Sequence, residues 1–271
     1  MKLWSMRTGS WKFLWIAQAT LVYSCAAVPP APVAPQRPSY SSDVTTTAPR
    51  TLEVEAGVFI DDEDMVDTPF AIKWGATETA ELFVGWSPYV RVALREADES
   101  GVGDFVLGTR VRFLEEGPRR PAAAFQLTTK LPAADKDSGL GTGLVDFFGA
   151  AIVTKAFDRT TVNGFYQLGV LSDPAGGNVI LEHDLAIAVG HPIVQNLGGF
   201  TELSVILTPN QNNEAVLWTL GMGYVVHPNV AFDSAVFVGL TDDTSRFAIT
   251  FGTTVNVGRI GRWFQDDRGA K

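Results

Sequence analysis

Charged side chains recur at every second position in several apolar segments of this chain, and that spacing is its main chemical feature. Arg110 and Arg112, for example, alternate with Val111 and Phe113. Side chains on a β-strand point alternately to its two faces, so such a segment has one charged and one apolar face. Charges that line a passage attract ions of opposite sign and repel others. The candidates for lumen residues that set selectivity are Asp104, Arg110, Arg112, Lys130, Asp146, Glu202, Asp233 and Arg246.

A structural interpretation of the same charges competes with the selective one. An Arg or Lys that faces lipid near the middle of a membrane costs about 2–4 kcal/mol, so these groups must pair with one another or line water. The set contains both acids and bases, and a salt-bridge network would satisfy it. Other residues that parity places on the same face are Glu53, Glu55, Lys73, Glu81, Gln126, Asn163, Gln167, Glu182, Asp184 and Asn256.

The histidines do not form a recognisable catalytic group. His183 stands between Glu182 and Asp184, but adjacent strand residues point to opposite faces, so the pair cannot easily form a dyad. His191 and His227 precede prolines in predicted turns. The chain has no Gly-x-Ser-x-Gly elbow, and a nucleophile needs a base within hydrogen-bond reach. We therefore expect no catalytic residues and no cofactor; a lipid-active enzyme at the barrel rim would need a Ser–His pair in contact.

An acidic run, Asp61–Asp64 with Asp67, could hold a cation. Oxygen-rich loops bind calcium, but this run lacks the glycine and closing glutamate of an EF-hand. A solvated charge run is the simpler interpretation, and a bridge to lipopolysaccharide through divalent cations is the alternative. No protein metal site is predicted.

The alternating pattern predicts about twelve antiparallel strands. Short turns and longer polar loops alternate strictly between them, as in an up-and-down transmembrane β-barrel of the outer-membrane type. Apolar residues on the other face, such as Leu82, Phe105, Phe125, Trp218 and Leu220, would face lipid. A soluble β-sandwich would also alternate, but its core would then carry too many charges. The predicted strands are 51–60, 67–76, 79–91, 102–114, 120–131, 143–156, 160–171, 180–190, 196–208, 214–226, 229–240 and 245–257.

The ends of the chain suggest export. Residues 1–25 resemble a secretory signal peptide, with Lys2 and Arg7 before a short apolar core. Cys25 closes a stretch similar to a lipobox and is a lipidation candidate, with ordinary cleavage nearby as the alternative. Residues 26–50 are rich in Pro, Ala, Ser and Thr, which predicts an extended or disordered tether. The barrel would span 51–258, and 259–271 would form a polar tail. A net charge of −9 argues against a nucleic-acid partner.

Three segments carry a family resemblance. They are Gly101-Val102-Gly103-Asp104 with the strand that follows, Lys130-Leu131-Pro132 followed by Gly139-Leu140-Gly141-Thr142-Gly143, and Val162-Asn163-Gly164-Phe165-Tyr166. Together they resemble the outer-membrane transporter family labelled "MetA-pathway of phenol degradation", over roughly residues 55–257. The chain departs from that family at Pro132-Ala133-Ala134 and in lacking a terminal aromatic strand, for which Trp263-Phe264 could substitute.

The resemblance implies an outer-membrane channel of a Gram-negative envelope for passive uptake of small solutes, including aromatic or hydrophobic compounds. The expected partners are membrane lipids, lipopolysaccharide, small-molecule solutes and the barrel-assembly machinery. The alternative function is a closed structural or adhesive barrel whose loops form the interaction surface; a lumen filled by paired charges would favour it.

Overall fold

The computed structural model describes residues 32–93, 98–211 and 213–260. The predicted signal peptide, Cys25 and residues 261–271, which include Trp263-Phe264, lie outside the described residues. Within the described residues the fold consists of fifteen strands and a short 3-10 helix at Pro209–Gln211. The strands are β1 (Thr51–Asp61), β2 (Val66–Asp67), β3 (Phe70–Gly75), β4 (Ala80–Trp86), β5 (Val90–Ala93), β6 (Asp98–Gly101), β7 (Phe105–Leu114), β8 (Ala122–Leu131), β9 (Asp146–Phe157), β10 (Thr160–Ser172), β11 (Val179–Val194), β12 (Leu197–Thr208), β13 (Asn213–His227), β14 (Val230–Gly239) and β15 (Phe247–Arg259).

Twelve of these strands close into an antiparallel barrel. The order runs β15-β14-β13-β12-β11-β10-β9-β8-β7-β4-β3-β1, and β1 pairs with β15 from Thr51↔Arg259 to Asp61↔Ala248. The predicted fold class and strand number are confirmed. Closure leaves no free edge in the ring, so the backbone hydrogen bonds of the wall are satisfied within the sheet, as a lipid surrounding requires.

Three short strands belong to the long loops rather than to the wall. Strand β2 continues beside the outer end of β1, and the β5–β6 hairpin pairs with β2 in turn. The predicted strand 79–91 therefore ends early, at Trp86. The opposite error occurs at β11, which runs to Val194 and includes His191 and Pro192, because a bulge between Pro192 and Val194 accommodates the proline.

The two faces of the wall have the predicted polarity. Phe113, Leu220 and Phe125 project outward and are 68%, 54% and 45% exposed. Such an apolar exterior fits the hydrocarbon of the outer membrane, where barrels of this kind reside. Among the described residues, no helix is long and apolar enough to span a membrane. Predicted inward residues that are buried are Glu53, Glu55, Lys73, Glu81, Arg110, Gln126, Asp146, Asn163, Asp184, Glu202, Asp233 and Asn256.

The chain before β1 does not hang outside the barrel as a tether. Residues 32–50, here called the lumen segment, have no regular secondary structure but lie inside the ring, with Ser41, Val44 and Thr47 buried. Low hydrophobicity normally predicts disorder because such a chain cannot bury a core. Here charged residues of the wall accept hydrogen bonds from the segment, so the prediction of a disordered tether is corrected for these residues.

Candidate functional site: the barrel lumen

The lumen segment forms a loop inside the barrel, in the half that carries the short turns. It enters beside the β13–β14 turn, where the Val33 N–H donates to the Pro228 carbonyl at 3.0 Å. It leaves at the β3–β4 turn, where the Arg50 N–H donates to the Gly75 carbonyl. Short turns are periplasmic in bacterial barrels, so this is the inner half of the lumen and the long loops mark the outer half.

Charged wall residues hold the main chain where the segment enters. The Ala34 N–H donates to Glu53 Oε2 at 2.9 Å, while Lys73 Nζ donates to the Ala34 carbonyl at 2.6 Å. Lys73 also lies 2.5 Å from Glu53 and 2.6 Å from Glu55, and Glu55 accepts the Gln36 N–H at 2.8 Å. These three charged groups are buried, and each one has both an ionic partner in the wall and a hydrogen bond to the segment.

A second charged group holds the segment where it leaves. Arg110 Nη1 lies 3.1 Å from Glu81 Oε1 and donates to the Thr45 carbonyl at 2.9 Å. Glu81 in turn accepts the Thr47 N–H at 2.7 Å. Arg112, nearer the short-turn end, pairs with Glu115 and donates to the carbonyls of Glu78 and Val44. The predicted lumen arginines therefore face inward, but their donors are used to hold the segment and its surroundings.

Glu202 on β12 holds the middle of the segment. Its carboxylate accepts the Tyr40 N–H at 2.8 Å, the Ser41 N–H at 3.2 Å and the hydroxyls of Ser39 and Ser41. The side chain is almost completely buried. Within the described residues no Lys, Arg or His lies within ion-pair distance of it, which distinguishes it from Glu53, Glu55 and Glu81.

Arg37 is the only cation within residues 32–49 of the segment. Its Nε lies 3.6 Å from Asp233 Oδ1, and Nη2 donates to the Thr250 hydroxyl at 2.6 Å. A Cβ on Gly57 or Gly252 would stand 2.3 Å and 2.5 Å from the guanidinium group, so these glycines make the space in which it lies. Asp233 faces the lumen as predicted, and its partner there is Arg37 of the segment, which the strand pattern could not predict.

The segment also packs on an apolar patch of the wall formed by β8 to β11. Val44 is buried against small and apolar side chains of β8 to β11, and Tyr40 packs on the same cluster. Asn163 Nδ2 donates to the Ser42 carbonyl at 3.0 Å beside it. The cluster consists of Val44, Ala122, Ala124, Ala150, Ile152, Phe165 and Ala186.

A separate charge cluster lies at the outer rim. Lys130 Nζ is 2.6 Å from Asp146 and 3.3 Å from Asp104, and it also donates to the Thr142 hydroxyl. Asp104 lies in the loop before β7 and accepts the N–H groups of Ala133 and Ala134 at 2.9 Å. Burial raises the pKa of Asp104, but these two N–H donors and Lys130 outweigh it, so the net pKa is lowered.

Apolar side chains line part of the outer half of the lumen. Phe83 lies two residues after Glu81 on the same face of β4, and its ring rests where a Cβ on Gly108 would be. Phe59 and Phe237 meet edge to face with ring centroids 5.6 Å apart. These rings are only partly buried and face inward by strand parity. We call this region the outer vestibule; its residues are Phe59, Phe83, Phe148, Leu171, Ile206, Leu217 and Phe237.

A cavity of about 330 Å³ remains beside the segment in the inner half. The segment forms one side of it through Arg37, Pro38 and Ser39, and small residues of β11 to β13 form the other. The wall residues Ala188, Gly190, Gly198, Gly199 and Gly223 leave room that larger side chains would fill. The segment therefore occupies part of the inner lumen, and a cavity remains between it and the wall.

Three groups of candidate residues behave differently from the main set. Arg246 is exposed in the loop before β15, outside the strand pattern that predicted it in the lumen wall. His183 points outward and shares a 3.0 Å hydrogen bond with the Tyr166 hydroxyl, while Asp184 points inward, so no dyad forms. Asp61 accepts N–H groups of its own turn, and among the described residues no cluster of His, Cys, Asp or Glu could hold a metal ion.

The lumen segment is the feature that the sequence analysis missed. Three side chains of this segment, Arg37, Tyr40 and Val44, interrupt a run of small and polar residues. Each of them contacts the wall. A cation and two apolar residues within an otherwise low-complexity stretch were the available signal.

Solved structures with the same fold are outer-membrane channels and porins. The chain is similar to an outer-membrane channel from Pseudomonas putida F1, with a TM-score of 0.63 and 9% identity, covering 81% of this chain and 100% of that one. A KdgM porin has a TM-score of 0.54 and 8% identity, and a NanC porin 0.53 and 9%; each match covers 75% of this chain and 98% of the porin. No protein-family model and no curated protein matches the sequence. The chain thus has the fold of an outer-membrane β-barrel of twelve strands.

Proposed function

We propose that the barrel is an outer-membrane channel for passive uptake of small apolar or aromatic solutes. The observation that carries this proposal is the outer vestibule, where rings such as Phe59, Phe83 and Phe237 line part of the lumen. Ligand pockets are commonly lined by apolar and aromatic side chains with a few polar groups. A lumen that passed only ions would gain nothing from this lining.

Two further points support a channel rather than an enzyme. The solved structures of similar fold are described as channels and porins, and their fold is the one seen here. Within the described residues, the histidines lie outside the lumen or at its turns and do not contact a serine. The resemblance to the phenol-degradation transporter family points to the same class of solute, and that family assignment stays a prediction.

The second candidate function is a closed structural or adhesive barrel. The observation that favours it is the inner half of the lumen, where Glu53, Glu81 and Glu202 all hold the lumen segment in place. In this function the long loops would be the working surface and the vestibule would bind nothing. The roles of Arg110, Lys130 and the other candidates in selectivity belong to the first function only.

The two candidate functions predict different rates of solute entry into a cell that carries the barrel. Expression in a porin-deficient bacterium should raise the entry rate of the apolar dye 1-N-phenylnaphthylamine more than that of nitrocefin, a charged hydrophilic reporter. Phe83→Asn and Phe237→Asn should reduce dye entry, while Phe157→Asn, which changes an exposed ring at the short β9–β10 turn outside the lumen, serves as the control. Faster entry of nitrocefin alone would indicate a hydrophilic pore, and no change for either probe would favour the closed barrel.

A further inference from the structure

One side of the inner cavity is a stretch of barrel wall almost without side chains. Gly190, Gly198 and Gly223 lie on the adjacent strands β11, β12 and β13, and strand parity turns all three toward the lumen. Gly198 pairs directly with Gly223. Apart from its chain neighbours, a Cβ built on any of the three would have no atom closer than 3.9 Å. We call these three residues the glycine wall.

Other inward glycines of the barrel have their space filled by the protein itself. The ring of Phe200 occupies the space above Gly221, and the guanidinium group of Arg37 occupies the space above Gly57. No group in the described part of the chain fills the corresponding space at the glycine wall. Glycine within a strand commonly marks a place where another group approaches the backbone closely. At the glycine wall that group has to come from outside the protein.

The remaining surfaces of the cavity include several apolar groups. Pro35 and Pro38 of the lumen segment line one side, and Ala188 and the ring of Phe200 lie beside the glycine wall. Ligand pockets begin at about 300 Å³, and this cavity has about 330 Å³. One benzene ring fits into an apolar cavity of about 150 Å³. The room is therefore sufficient for a single ring with short substituents.

Most polar side chains that line the cavity are already used within the protein. The Gln36 amide bonds to Asp43, and the hydroxyls of Ser39 and Ser41 both donate to Glu202. Asn163 donates to the Ser42 carbonyl and accepts from the Thr154 hydroxyl. In the described structure, three lining groups keep unused hydrogen-bonding capacity: the Thr161 hydroxyl, Asp43 Oδ2 and Arg37 Nη1.

We propose that the cavity between the lumen segment and the glycine wall binds one uncharged aromatic ring with one or two hydrogen-bonding substituents. The ring lies against the peptide planes of the glycine wall, and its substituents reach Thr161, Asp43 or Arg37. These last two residues carry opposite charges, so neither sign of net charge on the ligand is favoured. A monosaccharide needs partners for about five hydroxyl groups, more than the three unused groups supply. The role of the site in uptake rests on the proposed channel function, but the binding does not.

The test measures binding to the purified barrel in lipid nanodiscs, without transport. The probes are 4-fluorobenzyl alcohol and 2-deoxy-2-fluoroglucose, whose binding is detected by broadening of the ¹⁹F signal; empty nanodiscs correct for partition into lipid. Only 4-fluorobenzyl alcohol should bind. Gly198→Leu fills the cavity and should weaken its affinity at least tenfold. The variant should fold, because Gly198 has no positive φ and a Cβ there meets nothing closer than 3.9 Å.

Two control variants make the result specific, and heat-modifiable gel mobility checks the folding of each. Gly149→Leu adds the same side chain on the lipid face of β9, where a Cβ meets side-chain atoms at 3.6 Å or more, so the affinity should not change. Phe83→Asn removes a ring of the outer vestibule and should also leave the affinity unchanged. The proposal is overturned by absence of binding to the parent protein, by equal affinity in Gly198→Leu, or by tighter binding of the fluoroglucose.

The outcome is distinguishable from that of the proposed function, because binding in nanodiscs requires no passage through the barrel. Binding that Gly198→Leu abolishes, in a barrel that does not raise dye entry into cells, would support the site and remove the channel function. Dye entry without such binding would overturn the site and leave the channel function in place.

Discussion

Glu81 and Arg110 form an ion pair inside the barrel, with Oε1 and Nη1 3.1 Å apart on the paired strands β4 and β7. Both side chains are almost completely buried, and both bind the main chain of the lumen segment. Removing one partner leaves a buried charge without compensation. Glu81→Gln or Arg110→Met should each lower the free energy of unfolding by about 3–5 kcal/mol.

The double variant Glu81→Gln/Arg110→Met should be less destabilised than the sum of the two single variants, because neither charge is then left alone. Urea unfolding of the purified barrel in lipid vesicles, followed by tryptophan fluorescence, gives the free energies. Strictly additive effects would mean that the two groups do not interact as the structure shows.

Tyr40 should anchor the lumen segment through its ring. It packs on the apolar cluster that contains Ile152 and Phe165, so Tyr40→Ala leaves a cavity there and weakens the seat of residues 38–44. Hydrogen exchange of Tyr40 to Val44 should accelerate at least tenfold, while exchange in β10 stays unchanged. Tyr40→Phe keeps the ring and is the matched control; accelerated exchange in both variants would assign the effect to the hydroxyl instead.

Charge should be tolerated differently on the two faces of one strand. Leu220 projects into lipid, whereas Thr219 beside it faces the lumen. Leu220→Arg should cost about 2–4 kcal/mol of unfolding free energy in a bilayer. The same variant in a soluble, water-exposed sheet would cost little, so a negligible effect in vesicles would contradict the lipid-facing assignment. Leu220→Ala, at the same position, is the control for loss of packing.

The loop that Asp104 ties to the β8–β9 connection should loosen in acid. The pKa of Asp104 is lowered below its ordinary value of 3.8 by its N–H donors and Lys130, in spite of its burial. A carboxylate with a depressed pKa stabilises the folded loop above the ordinary value, and that contribution is lost as the pH falls through the folded pKa. Hydrogen exchange of Ala133 and Ala134, corrected for intrinsic rates, should show protection that weakens only as the pH falls below 3.8. An Asp104→Asn variant should have no such transition, and a transition that persists there would assign it to another group.

The lumen should prefer cations if it conducts. The buried charges of the described wall comprise seven acids and two bases, Lys73 and Arg110. An acidic lining raises the local concentration of cations. The reversal potential in a KCl gradient across a planar bilayer should therefore indicate K⁺ preference. Anion preference in the parent protein would show that the ion path avoids this wall.

The sequence by itself determined the wall of this protein. Strict alternation in segments such as Phe247–Val257 and the regular exchange of short turns and long loops specify twelve strands with charges inside, because side chains on a strand have a period of two. Arg110, Lys130 and Glu202 were placed correctly on the inner face by that parity alone. Arg246 was misplaced because parity holds only within a strand, and it lies in a loop.

Only the tertiary structure decided what fills the lumen. Residues 32–50 have too little apolar surface to fold alone, and their composition gives no indication of a partner more than a hundred residues away. Closing the ring brings Glu202, Asp233 and Arg110 around that segment, where charged side chains pair with its main-chain groups and with Arg37. The partners of the lumen charges are therefore a consequence of barrel closure, since strand periodicity specifies a face but not what lies opposite it.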